Sequence, residues 1–157
     1  MIRIELLKTG NINEYSRLAR RIIQGTPYYS EAAKKNEMSS FALPLLEERL
    51  KKKENVLLVA KEKTAMAGFC CGYIDGKVFW LDWIGVDGKF RGRGAAAQLI
   101  EFLEAFLRKR NVHKVWCDTR INNKESIALI KKFGYRKIAF LKNHWSGLDY
   151  FLWEKFL

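Results

Sequence analysis

The 157-residue sequence predicts an α+β fold with seven strands and four helices. Between residues 55 and 86, three apolar segments are separated by short breaks that suit hairpin turns. After Gly94 the apolar residues change from a strand period to a helical period. The patterns follow one another in the order β-α-α-β-β-β-α-β-α-β-β, which completes the prediction.

The N-terminal third of the chain predicts one strand and two helices. Residues 2–7 alternate apolar and charged side chains, which is typical of a half-buried strand. Helical spacing of apolar residues follows over residues 12–23 and again over about 42–52. Residues 28–40 between these helices are polar without a clear period, so a loop is predicted there.

The rest of the chain predicts six strands and two helices. Residues 55–62, 66–74 and 78–86 form an antiparallel meander. Its third strand is apolar on both faces apart from Asp82, which indicates a position in the middle of the sheet. The remaining elements are a helix from Gly94 to about Arg110, a strand at 112–119, a helix from Asn123 to about Phe133, and strands at about 135–142 and 147–155.

Length and composition indicate one domain, residues 1–157, with 48% apolar residues to form its core. No segment resembles a signal peptide or approaches the roughly 20 apolar residues of a membrane span, so a cytoplasmic location is expected. Adjacent Cys70 and Cys71 argue against a disulfide framework. His113 and His144 lack the spacing of metal ligands or of a catalytic dyad, and no metal is predicted.

The formal net charge of +12 predicts a surface that attracts anions. A phosphate-rich cofactor, an acidic protein, RNA and the ribosome surface all fit this charge. An excess of lysine that only keeps a small domain soluble fits it equally well.

The most informative segment is a strand that runs through a basic, glycine-rich turn into a long helix. The free N–H groups and the dipole of the first helical turn favour an anion. Gly92 and Gly94 allow the backbone to approach it closely, and Arg91 and Arg93 add positive charge. The segment therefore predicts a binding site for a diphosphate.

Two motifs in this sequence resemble those of the GNAT acetyltransferases. Residues 91–96 are similar to the family's CoA-pyrophosphate motif Q/R-x-x-G-x-G/A, and residues 123–135 resemble its later helix, N-x-x-[AS]-x-x-L-Y-x-x-x-G-F. The matching residues are Arg91, Gly94 and Ala96 in the first motif and Asn123, Ser126, Leu129 and Gly134 in the second. The motifs lie in the family's order, and the resemblance covers nearly the whole chain.

This resemblance implies an α/β/α layered fold with a mixed, mostly antiparallel sheet. It also implies direct transfer of an acetyl group from acetyl-CoA to a primary amine in a ternary complex. Gly85 is interpreted either as a bulge in the strand before the turn or as a glycine packed beneath an aromatic ring. The residues expected to contact the cofactor are Ile84, Gly85, Val86, Arg91, Gly92, Arg93, Gly94, Ala95, Ala96, Asn123 and Ser126.

The catalytic groups are less clear, because Ile130 occupies the position where many members carry a tyrosine general acid. A thiolate can leave without protonation, and Tyr135 or Tyr150 could serve instead. Asp118 and Asp82 are candidates for the general base that deprotonates the amine. Either aspartate could instead have a structural role. Asp118 could cap the loop that leads to the next helix or pair with a basic neighbour, and Asp82 could pair with a basic neighbour inside the sheet.

Acceptor specificity is expected to depend on the predicted loop at 28–40, with Tyr28 and Tyr29, and on the turn around His144 and Trp145. These aromatic residues could also only cover the sheet edge. Protein N-termini, lysine side chains and small amines all remain candidate acceptors, and the basic surface disfavours a polycationic one. The alternative function is a catalytically silent GNAT-like domain that binds RNA or a ribosomal partner. In either case the protein is expected to be a monomer or a homodimer.

Overall fold

The structure is a computed structural model that describes all 157 residues. Its strands and helices are β1 (Ile2–Leu6), α1 (Ile12–Gln24), α2 (Glu31–Ser39), α3 (Leu43–Lys51), β2 (Asn55–Glu62), β3 (Ala65–Asp75), β4 (Val78–Val86), α4 (Ala95–Lys109), β5 (Lys114–Arg120), α5 (Lys124–Lys132), β6 (Arg136–Leu141) and β7 (Tyr150–Phe156). Short 3₁₀ turns lie at Thr9–Asn11, Gly88–Phe90 and Trp145–Gly147. No helix has the length and apolar character needed to cross a membrane.

The seven strands form one sheet in the order β1-β2-β3-β4-β5-β7-β6. Only β4 and β5 are parallel, and all other neighbours are antiparallel. The predicted α+β class with a mixed, mostly antiparallel sheet is therefore confirmed. Strand β4 lies in the middle, as its apolar character predicted, because a central strand is covered on both faces.

Helices cover both faces of the sheet and give it two hydrophobic clusters. One cluster packs α4 and α5 against one face, and the other packs α1 and α3 against the opposite face. Cys70 belongs to the first cluster and Cys71 to the second, because successive strand residues point to opposite faces. We call these the α4 face and the α1 face of the sheet.

The predicted loop at residues 28–40 is wrong, because α2 forms over nine of these residues. The Ser30 side chain caps the helix and accepts a hydrogen bond from the Ala33 N–H at 3.2 Å. Only Ala33 is buried in α2, so the helix has almost no apolar stripe for a periodicity argument to detect. The chain therefore has five helices rather than four.

Candidate active site

The sheet opens between its two parallel strands. Pairing of β4 with β5 ends at Leu81 and Cys117, although β4 continues to Val86 and β5 to Arg120. On its other side β4 stays paired with β3 as far as Val86. The end of β4 therefore presents unpaired backbone polar groups to a gap in the middle of the sheet.

A cleft of about 560 Å³ extends from this gap to the start of α4. All of the residues predicted to contact a cofactor, except Arg93, line it. The strand edge, the glycine-rich turn and the start of α5 thus contribute to one cavity. Its size falls within the range of small-molecule and cofactor sites.

The turn into α4 needs its glycines for conformational reasons. Gly92 and Gly94 have φ angles of 75° and 80°, which side-chain-bearing residues rarely adopt. The first intrahelical bond runs from the Gln98 N–H to the Gly94 carbonyl at 3.0 Å. The three preceding amides, in residues 95–97, lie beside the cleft at the positive end of the helix dipole. This arrangement suits a phosphate group.

The two arginines of the turn have different positions. Arg91 lines the cleft, and its guanidinium lies 3.7 Å from the exposed carboxylate of Glu125. Arg93 lies outside the cleft, where it pairs with Glu62 at 2.5 Å and stacks over Phe90. Only Arg91 is therefore placed to meet an anion in the cleft.

The predicted bulge at Gly85 is wrong, because Gly85 pairs in register with Phe69 of β3. A Cβ atom there would lie 2.8 Å from Ile22 Cγ2 and 3.0 Å from Phe69 Cε1. Gly85 therefore packs beneath an aromatic ring, which was the other interpretation of this glycine. The bulge of β4 lies at Asp82, which has no partner between the paired residues Leu81 and Trp83.

A second cavity, of about 310 Å³, lies on the α1 face. We call it the acidic pocket, because it contains the carboxylates of Glu37, Asp82 and Asp118 and only one basic side chain, Arg49. Its other lining residues are Tyr29, Asn36, Ser40, Phe41, Trp80, Trp83 and Trp145. The two cavities meet where β4 and β5 separate, because they share four lining residues, Tyr29, Asp82, Trp83 and Asp118.

Asp82 forms an ion pair with a basic neighbour, which was the structural alternative predicted for this residue. Its carboxylate lies 3.1 Å from the guanidinium of Arg49, and its side chain is 29% exposed. Burial raises the pKa of Asp82 to about 6, with Glu37 and Asp118 adding to the rise and Arg49 opposing it. A carboxyl group with this pKa is mostly ionised at neutral pH and can accept a proton.

Asp118 forms no ion pair with a lysine or arginine, so one of its structural alternatives, an ion pair with Lys114 or Arg120, is wrong. Its carboxylate accepts a hydrogen bond from Trp145 Nε1 at 2.6 Å. Arg120 instead donates to the backbone carbonyls of Tyr28 and Asp149. Burial raises the pKa of Asp118, while the bond from Trp145 lowers it.

The four aromatic residues predicted for the acceptor have four different placements. Tyr29 lines both cavities, Trp145 lines only the acidic pocket, and Tyr28 lines only the cleft. His144 lines neither cavity, and its ring lies 4.4 Å from the Trp145 ring and 6.1 Å from the Tyr150 ring. His144 therefore supports the turn that carries Trp145.

The candidates for a general acid are not well placed. Ile130 lines the cleft and is 3% exposed. The Tyr135 hydroxyl is buried without a hydrogen-bond partner, and Tyr135 lines neither cavity. Tyr150 also lines neither cavity, and burial raises the pKa of its hydroxyl to about 12, which makes it a weaker acid.

Two further cleft residues have structural explanations. The Asn123 side chain caps α5, because its oxygen accepts the Ser126 N–H at 3.1 Å. Cys117 is buried, and burial raises the pKa of its thiol, so a nucleophilic thiolate is disfavoured. No group of three or more His, Cys, Asp or Glu residues could hold a metal ion.

Sequence reasoning missed Glu37, Arg49, Trp80 and Trp83, which all line the acidic pocket. Glu37 accepts a hydrogen bond from Trp83 Nε1 at 2.8 Å, and Arg49 pairs with Asp82. No local pattern marks these residues, since each contact joins elements far apart in the chain. Ser30 is a favourable N-cap residue, and this local signal predicts a helix that includes Glu37.

The structure is similar to solved acetyltransferases at low sequence identity. It matches the PaiA N-acetyltransferase of Thermoplasma acidophilum, solved in complex with coenzyme A, with a TM-score of 0.88 and 16% identity over 100% of this chain and 99% of that one. It matches the ribosomal-protein-S18-alanine N-acetyltransferase of Escherichia coli with a TM-score of 0.78 and 21% identity over 99% of this chain and 94% of that one. It also matches a probable acetyltransferase of Staphylococcus epidermidis with a TM-score of 0.84 and 15% identity over 99% of both chains. At these identities the likeness shows the fold.

A comparison with curated proteins found no significant match. The family model described as the acetyltransferase (GNAT) family matches residues 21–135, which include the glycine-rich turn, both carboxylates where the cavities meet, and α5. This match covers more than half of the sequence and agrees with the two motifs and with the fold. The chain therefore belongs to the GNAT acetyltransferase family.

Proposed function

We propose that this protein transfers an acetyl group from acetyl-CoA to a primary amine. One observation carries the proposal: the cleft and the acidic pocket meet at Asp82 and Asp118, where β4 and β5 separate. A donor in the cleft and an amine in the pocket would face each other across this gap. Direct transfer within a ternary complex needs such an arrangement.

The cleft fits coenzyme A through its backbone groups. The free amides of residues 95–97, with Arg91 beside them, would hold the diphosphate. The unpaired edge of β4 over residues 84–86 would bind the pantetheine arm, and Asn123 and Ser126 also line the cleft. The same fold binds coenzyme A in the protein from Thermoplasma acidophilum, which supports this assignment.

Acetyl-CoA supplies an activated acyl group and a thiolate leaving group. The acidic pocket would bind the amine as an ammonium ion, and Asp118, fixed by Trp145, would orient it. Asp82, fixed by Arg49, would accept its proton, because only the neutral amine is a nucleophile. The pKa of about 6 suits Asp82 to this role near neutral pH.

No side-chain acid is assigned to the leaving group. Ile130 replaces the usual tyrosine, and the leaving group can depart as a thiolate without protonation, because its thiol has a pKa of about 8.5.

We also propose that residues 1–157 act as one domain, since helices from both ends of the sequence pack on the same sheet.

The proposal is tested with purified protein in two measurements. Calorimetry should show saturable binding of coenzyme A, and a thiol assay should show its release from acetyl-CoA when primary amines are added. Absence of coenzyme A binding would contradict the proposal. Saturable binding without turnover on any amine would favour the catalytically silent alternative instead.

A further inference from the structure

The acidic pocket carries more negative charge than its own residues neutralise. Arg49 is its one basic residue, and it pairs with Asp82. Glu37 and Asp118 each accept one indole N–H, at 2.8 Å and 2.6 Å, and neither forms an ion pair with a lysine or arginine. The side-chain hydrogen bonds to these two carboxylates come from neutral indole groups, so each carboxylate can still pair with a cationic ligand group.

The two unpaired carboxylates lie at different depths of the site. Asp118 lines both the cleft and the pocket, so a cation beside it faces the position of the acetyl group. Glu37 lines only the pocket, on α2 and away from the cleft. A ligand that meets both carboxylates must therefore extend from the gap between β4 and β5 into the pocket.

The wall along this path is aromatic. Tyr29 and Trp83 lie with ring centroids 5.7 Å apart, and Trp80 and Trp145 also line the pocket. Such rings pack against methylene groups, and their faces attract ammonium ions. The pocket thus combines an apolar wall with an acidic site at each end.

We propose that the acceptor is an aliphatic diamine or polyamine, with its reacting amine at Asp82 and Asp118 and a second ammonium group at Glu37. This inference rests on the proposed function and names the acceptor class for the same site. The net charge of the chain disfavoured such an acceptor, but the pocket has the opposite sign from the surface as a whole. The local field of the pocket determines which ligand binds there.

The test compares three acceptors that share a five-carbon chain: cadaverine with two amines, pentylamine with one, and aminovaleric acid with one amine and one carboxylate. We expect kcat/KM for cadaverine to exceed that for pentylamine by about tenfold, because hydrogen bonds between charged groups are the stronger class. Aminovaleric acid should be the poorest acceptor, because its carboxylate meets Glu37. Equal rates for cadaverine and pentylamine would overturn the inference and leave the acetyltransferase proposal intact.

The variant Glu37→Gln locates the second ammonium group. Its amide oxygen can still accept the hydrogen bond from Trp83 Nε1, so the fold is preserved while the charge is removed. The preference for cadaverine over pentylamine should fall to near unity. Glu47→Gln removes an equal charge from the exposed side of α3 and should keep the preference. An unchanged preference in Glu37→Gln would overturn the assignment of Glu37.

Direct binding separates this inference from the proposed function. Calorimetry of cadaverine with the wild-type protein should show binding that Glu37→Gln weakens about tenfold, with or without coenzyme A present. If coenzyme A does not bind but cadaverine does, the function fails and the pocket assignment stands. If coenzyme A binds and cadaverine does not, the acceptor class is wrong.

Discussion

The two cavities that meet between β4 and β5 are built from different parts of the polypeptide. The polar groups that the cleft offers along the β4 edge, the turn at Gly92 and Gly94, and the first turn of α4 belong mainly to the backbone. The acidic pocket presents side chains from α2, α3, β4 and β5. A backbone site depends on conformation, whereas a side-chain site depends on each residue that forms it. Substitutions should therefore act differently on the two cavities.

The cavities also differ in where their charges lie. The α4 end of the cleft has Arg91 and a helix N-terminus, with Glu125 beside Arg91. The other two carboxylates of the cleft, Asp82 and Asp118, lie where it meets the pocket, and the pocket adds Glu37. A diphosphate at the α4 end and a cationic acceptor in the pocket would each meet groups of opposite sign. The net positive charge of the chain does not predict the acidic character of the pocket.

The largest effect is expected on the pocket side, where chemistry depends on one side chain. Asp82→Asn should lower kcat/KM for amine acetylation by about 10²–10³-fold, because the proton acceptor is lost. In the wild type, kcat/KM should fall as the pH drops below about 6, since the raised pKa of Asp82 means that its carboxylate becomes protonated there. The variant should lack this acidic limb in a pH–rate profile.

Asp75→Asn serves as the control, since Asp75 is an exposed residue at the β3–β4 hairpin. Its activity should match the wild type. Coenzyme A affinity should be unchanged in both variants. An unaltered pH–rate profile in Asp82→Asn would remove this residue as the base.

The next effect concerns the backbone of the cleft. Gly94→Val should weaken coenzyme A binding about tenfold, because a left-handed φ costs a side-chain-bearing residue about 1–2 kcal/mol and the turn must shift. Gly76→Val carries the same type of strain, at φ 60° in a hairpin outside both cavities. It should lower the melting temperature similarly without changing coenzyme A affinity. Equal affinities in the two variants would contradict a backbone-built site.

A smaller effect is expected for side chains of the cleft. Arg91→Gln should weaken coenzyme A binding about fivefold, since one charge-assisted contact is lost from a partly exposed group. Arg93→Gln removes the same charge but only its pairing with Glu62, so affinity should change by less than about twofold. Calorimetry at matched ionic strength measures both. A larger loss for Arg93→Gln would mean that its side chain turns into the cleft on binding.

The smallest effect is expected for the residue that positions Asp118. Trp145→Phe keeps an aromatic wall but removes the hydrogen bond to the carboxylate, so KM for the amine should rise about threefold. kcat should change less, because Asp82 keeps its partner Arg49. A steady-state comparison with several amines checks this. A large fall in kcat with constant KM would instead place Asp118 in the proton transfer.

Most of the fold could be predicted because its signals are local. These signals are the alternation along β1, the apolar segments that form β2 to β4, and the apolar stripe of α4. Helix α2 has no such stripe and was missed, since it packs through Ala33 and the cap at Ser30. The bulge at Asp82, rather than at Gly85, depends on the register between β3 and β4, which no single segment encodes.

The sequence by itself determined the phosphate-type turn, because positive φ angles favour glycine and free helical amides follow from any helix start. Only the tertiary structure distinguished Arg91 from Arg93 and assembled the acidic pocket. Its contacts join residues far apart in the chain, such as Arg49 with Asp82 and Glu37 with Trp83. Those pairs form only when α2 and α3 pack over the sheet, so the sign and shape of the pocket are properties of the packing rather than of any motif.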